Sequence, residues 1–205
     1  MPRRIQTQTL AGPAGPIETL LEEPEHVSGS YAALVCHPHP MYGGTMHNKV
    51  VYRLARALRE TGAAVLRFNF RKAGIPEGLE DARAMLQWLR RQYPDLPYAL
   101  AGFSFGARVA TELAADALPG SSPRFVMATG FSPRLGAFDY LEHCTIPKIF
   151  VQSTQDQYAP RPEFERAYAR FAEPKELHWI EAADHFFEGA LDRFEAAVRD
   201  AAASR

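Results

Sequence analysis

Apolar and polar positions divide this chain into short segments with two different rhythms. Residues 5–10 and 16–22 read as two short strands around the turn Gly12-Pro13-Ala14-Gly15-Pro16, and together predict a solvated hairpin or meander. Tyr31-Ala32-Ala33-Leu34-Val35-Cys36 is a continuous apolar run, the mark of a strand covered on both faces. At 48–60 the apolar residues Val50, Val51, Leu54, Ala57 and Leu58 recur at helical spacing and stop before Gly62. Further strands are predicted over 63–70, 96–103, 124–129, 148–153 and 176–180, with helices over 79–91, 107–117, 162–171 and 186–203. Residues 71–78 read as a loop. Strand and helix alternate from Tyr31 onward, which predicts a mostly parallel central sheet with helices on both faces. No repeat, low-complexity tract or internal linker interrupts the 205 residues, so a single α/β domain over 1–205 is expected.

Composition narrows the picture by exclusion. Apolar residues make up 46% and charged residues 23%, the balance of a soluble globular protein. Lys plus Arg number 23 against 24 Asp plus Glu, so neither nucleic acid nor an anionic membrane is an expected partner. No segment reaches the ~18 apolar residues of a membrane span. Arg3 and Arg4 have no apolar stretch behind them, so no signal peptide is expected and the compartment is expected to be cytoplasmic. Cys36 should pack as a small hydrophobe, and no disulfide with Cys144 is expected.

The chemistry centres on Gly102-Phe103-Ser104-Phe105-Gly106, which lies between a predicted strand and an alanine-rich helix. In that context Gly-x-Ser-x-Gly is the signature of a nucleophile elbow. The turn forces its middle residue into a strained backbone, and side chains at the flanking positions would collide where strand and helix nearly touch. A serine hydroxyl needs a general base, and the base an orienting carboxylate. Downstream strand ends supply both, Asp156 after 148–153 and His185 after 176–180. The order Ser104, Asp156, His185 is that of an α/β-hydrolase triad. Asp139 is the rival acid, at the end of the neighbouring strand; Asp184 is poorly placed because adjacent side chains rarely converge.

The loop His37-Pro38-His39-Pro40-Met41-Tyr42-Gly43-Gly44 follows the first buried strand. Its expected task is to present an N–H that stabilises an oxyanion together with the N–H of Phe105. Pro38 and Pro40 have none, which leaves His39 and Met41. His37, His39 and His47 also admit a metal reading, but no Cys or acidic residue nearby completes a ligand set, so no metal or cofactor is expected. His37 is read instead as an internal hydrogen-bonding partner that shapes the loop. Tyr42, Phe131, Tyr158, Phe186 and Phe187 are candidate pocket walls, although aromatics near strand ends are as often core.

The stretch His37 to Val51, the segment Arg67-Phe68-Asn69-Phe70-Arg71 and the elbow itself resemble a family of small bacterial α/β-hydrolases. That family is related to the dienelactone hydrolases and is usually described as esterases. The resemblance runs from about Tyr31 to the last helix and implies Ser104, Asp156 and His185 as the triad. One departure from the family stands out: the loop at 72–78 is shorter than its Gly-rich loop; unlike the dienelactone hydrolases, the chain has Ser in place of Cys at the nucleophile.

These residues predict a serine hydrolase of acyl bonds acting on a small ester as monomer or homodimer. Thioesters, small amides and peracid formation would use the same groups. A non-catalytic binding module on the same fold is the reading from another class. Only the short segment 130–146 stands where many lipases insert a cap, so no cap domain is expected, and an open site with little apolar wall.

Overall fold

The continuous apolar runs become the middle of an eight-stranded sheet in the computed structural model, which describes residues 5–24, 30–118 and 120–205. The strands are β1 (Ile5–Gly12), β2 (Gly15–Glu22), β3 (Tyr31–Cys36), β4 (Ala63–Phe68), β5 (Tyr98–Phe103), β6 (Val126–Thr129), β7 (Lys148–Ser153) and β8 (Lys175–Ile180). Their order is β1-β2-β4-β3-β5-β6-β7-β8. β1, β2 and β4 pair antiparallel, and every pairing from β4 through β3 to β8 is parallel.

Side chains alternate across a strand, so each apolar run serves two cores. Tyr31, Ala33 and Val35 of β3 pack with α1 (Lys49–Glu60) and α5 (Leu191–Ala203) on one face. Ala32, Leu34 and Cys36 pack with α2 (Ile75–Gln92) and α3 (Phe105–Ala115) on the other, where α4 (Arg161–Arg170) also lies through Phe164 and Ala167. Cys36 and Cys144 are both buried and free. No helix among the described residues is long and apolar enough to cross a membrane.

Three expectations change. The first hairpin is not solvated: β2 is an inner strand with Ile17, Leu20 and Leu21 buried, and only β1 is left at the edge. Glu22 is buried there because Arg67, arriving from β4, donates to Oε2 through Nε at 3.1 Å and Nη2 at 2.7 Å. α2 begins at Ile75 instead of 79, with Pro76 in the first turn, where its missing N–H costs nothing. α5 begins at Leu191, five residues after the expected start. Phe187 and Gly189 have φ of 57° and 73°, a left-handed backbone that a right-handed helix cannot contain.

Between β6 and β7 the chain makes two 3₁₀ turns, Pro133–Leu135 and Asp139–Glu142, and builds no separate cap domain.

Candidate active site

Ser104 sits between the end of β5 and the first residue of α3, with φ 56° and ψ −116°. L side chains rarely adopt that conformation, and it persists because the surroundings leave no alternative. A Cβ at Gly102 would overlap the Gly106 carbonyl, so strand and helix can meet only without one. A Cβ at Gly106 would overlap the carbonyl of Cys36, which lets α3 close down on the neighbouring strand. The Ser104 N–H donates to Thr129 O at 2.9 Å, and Thr129 Oγ1 donates to Gly102 O at 2.9 Å. The turn is thus clamped from β6 as well. Phe105 opens α3, where backbone N–H groups lack helical partners and the helix dipole is positive.

Asp156 and His185 leave adjacent parallel strands, β7 and β8, at their carboxyl ends. His185 Nδ1 donates to Asp156 Oδ2 at 2.6 Å, and both side chains are almost wholly buried. The other carboxylate oxygen accepts from the N–H groups of Tyr158 (2.8 Å) and Ala159 (3.0 Å). With Nδ1 committed to the acid, Nε2 is the nitrogen left to exchange a proton. The His185 loop is itself braced: Asp184 Oδ1 accepts from the N–H groups of Phe186 and Glu188, and Phe187 is buried against Phe103 and Phe194. Asp184 is therefore a loop cap. Asp139 is exposed in the second 3₁₀ turn and pairs with Arg170 at 3.1 Å, away from the imidazole's partners.

In the loop after β3, His37 has both ring nitrogens engaged. Nδ1 donates to Pro38 O at 2.5 Å and Nε2 accepts from the Phe70 N–H at 2.8 Å. Acceptance at Nε2 requires the neutral ring, and burial pushes the His37 pKa down to about 4 against the opposing effect of the Pro38 carbonyl. A metal would have to displace one of these bonds. His39 O accepts from the N–H groups of Tyr42 and Gly44, and Pro40 O from that of Gly43, all at 3.1 Å. Those three N–H groups are therefore already engaged, and the loop offers His39 and Met41.

One cavity of about 420 Å³ joins these parts, lined by Ser104, Phe105, His185 and His39 together with Tyr42, Tyr158 and Phe186. Met41 is not brought into it and is 79% exposed. Phe131 and Phe187, two of the five aromatic candidates, are core residues with no exposed surface. Sequence reasoning passed over Asn48, which caps α1, and Ser132, Arg134 and Leu135 around the first 3₁₀ turn; all four line the cavity. Only their position just after a strand end could have pointed to the last three. With Leu135, Tyr42 and Tyr158 on its walls, the cavity is less bare than the loop lengths suggest.

Comparison with known proteins gives the same fold. Residues 33–194 match the family described as alpha/beta hydrolase domain. An alpha-beta serine hydrolase homologue from Coxiella burnetii superposes with a TM-score of 0.89 at 30% identity, covering 96% of each chain. A serine hydrolase of Xanthomonas campestris, described as lacking a lid, gives 0.85 at 31% identity over 98% of this chain and 94% of that one. A dienelactone hydrolase from Anabaena variabilis gives 0.83 at 19% identity over 98% and 97%, a likeness of fold alone.

Proposed function

The chain belongs to the alpha/beta hydrolase domain family, and on that premise we propose that it is a serine hydrolase that cleaves carboxylic esters of short to medium size through an acyl-enzyme. The observation that carries this is the buried His185–Asp156 bond at two adjacent strand ends, sharing one cavity with a serine held at φ 56°. In the proposed cycle Ser104 Oγ attacks the ester carbonyl carbon while His185 Nε2 takes the hydroxyl proton. Asp156 holds the tautomer and stabilises the imidazolium. The carbonyl oxygen, now an oxyanion, receives the N–H groups of Phe105 and His39. The imidazolium then protonates the departing alkoxide, leaving acyl-Ser104. Water, deprotonated by the same nitrogen, releases the acid and restores the serine.

The cavity supports a substrate of this size. About 420 Å³ lies toward the small end of the ~300–1,000 Å³ typical of small-molecule sites. The test is labelling with a fluorophosphonate, mass spectrometry of the adduct, and hydrolysis of p-nitrophenyl butyrate. A single adduct on Ser104, absent in Ser104→Ala, together with ester turnover is the expected result. A protein that takes up no label and hydrolyses no ester would be a binding module on a hydrolase fold.

A further inference from the structure

Gln152 stands in β7, fully buried, four residues before Asp156, and touches neither Ser104 nor His185 by any hydrogen bond. Its amide instead grips a single residue across the sheet. Phe131 N–H donates to Gln152 Oε1 at 2.8 Å, and Gln152 Nε2 donates to Phe131 O at 2.8 Å. The β6–β7 ladder makes its last backbone bond at Gly130, whose N–H donates to Val151 O at 2.9 Å. Beyond that point the Gln152 side chain replaces the strand as pairing partner, so residues 130–132 stay in register with β7 after β6 has ended.

Both neighbours of Phe131 reach the triad. Gly130, at φ 56°, presents a bare backbone to the imidazole: a Cβ there would lie 3.0 Å from His185 Cε1 and 2.7 Å from Phe103 Cε2. Ser132 lines the cavity, and its Oγ donates to Tyr158 O at 2.5 Å. Tyr158 in turn donates its N–H to Asp156 Oδ1 at 2.8 Å and sets its ring edge-on to His185 at 5.0 Å. One side therefore abuts the base and the other is tied to the acid.

We propose that Gln152 is a positioning residue for this site: by holding the Phe131 backbone it fixes the Gly130–Ser132 loop against the His185 ring and thereby sets where the imidazole meets Ser104. The inference rests on His185 as the base of the proposed reaction. Displacement of a reacting group by about 1 Å can cost on the order of a hundredfold in rate, whereas the cavity walls His39, Tyr42 and Phe186 stand on other loops.

Two variants test it. Gln152→Met keeps the volume and removes both bonds. Gln152→Glu keeps the acceptor for the Phe131 N–H and sets a carboxylate against the Phe131 carbonyl. For each folded variant, kcat and KM on p-nitrophenyl butyrate and the rate of fluorophosphonate labelling at Ser104 are measured beside wild type and Ser104→Ala. We expect Gln152→Met to lose about tenfold to a hundredfold in kcat and in labelling rate with KM within about twofold, and Gln152→Glu an intermediate loss. Where Gln152→Met does not fold, Gln152→Glu decides alone: its protonated carboxyl has the shape of the amide and keeps both bonds to Phe131, and ionisation removes the one to the carbonyl. A kcat and labelling rate within twofold of wild type, or a loss that resides in KM, overturns the proposal. Absence of labelling in wild type itself would instead overturn the underlying hydrolase reading.

Discussion

His185 Nδ1 and Asp156 Oδ2 are joined across 2.6 Å with both side chains shielded from water. The bond orients the imidazole because the carboxylate cannot turn: its other oxygen is held by two backbone N–H groups. Charge-assisted bonds of this kind are short, and stronger than neutral ones.

Neutralising that acid should leave the shape and remove the function. Asp156→Asn is expected to lower kcat on the order of 10⁴, the scale seen when the orienting carboxylate of a triad is lost. Asp139→Asn, which disturbs only an exposed ion pair, should stay within about twofold. Steady-state kinetics of the two variants side by side decides; greater damage from Asp139→Asn would refute the assignment.

The backbone at Ser104 stores strain that glycine would relieve. Both Ser104→Ala and Ser104→Gly should be inactive, but Ser104→Gly should be more stable than Ser104→Ala by about 1 kcal/mol, since only glycine accepts φ 56°, ψ −116° without penalty. Urea midpoints with matched m-values measure this. Equal stabilities would show that the turn is not strained.

Gly130 should be intolerant of even one methyl group. Gly130→Ala combines a left-handed φ with contacts to Phe103 and His185, so we expect a loss of about 1–3 kcal/mol in stability and a fall in kcat on the order of a hundredfold. Denaturation and kinetics on the same preparation separate the two effects. Wild-type kcat in the folded variant would mean that the imidazole does not rest where the structure has it.

Acid should loosen the loop after β3 through His37. Burial lowers its pKa from the usual ~6.5 to about 4, so between those values the unfolded chain binds a proton that the folded one does not. The contribution is complete above about pH 6.5 and disappears as pH falls toward 4, worth up to roughly 3 kcal/mol. Chemical denaturation at pH 7, 5.5 and 4.5 should show a steeper loss in wild type than in His37→Gln. Parallel slopes would place the acid sensitivity elsewhere.

Acyl length should be bounded by the cavity. Each buried CH₂ contributes about 0.8 kcal/mol while it finds apolar wall, and Tyr42, Leu135, Tyr158 and Phe186 line a cavity of about 420 Å³ with no cap domain above it. Acetate to hexanoate esters should be favoured over palmitate, and micelle formation should bring no jump in rate. A preference for palmitate would refute this reading of the cavity.

Much of this protein is determined by local sequence. The apolar run at 31–36 reads as a strand covered on both faces and is one, 148–153 is the strand expected there, and helical spacing at 48–60 matches α1 to within one residue at its start. Gly102 and Gly106 announced a close strand–helix approach because that constraint acts over five residues. What depends on partners distant in the chain was decided only in three dimensions. Glu22 is buried because Arg67 meets it from another strand, and Phe187 turns left-handed because its ring has a place between Phe103 and Phe194. Likewise Tyr42 and Phe186 became cavity wall while Phe131 became core, a distinction that hydropathy cannot make between identical rings. Gln152 carries no local pattern at all. Its side chain acquires meaning only where the strand beside it ends and the Phe131 backbone is left to be paired.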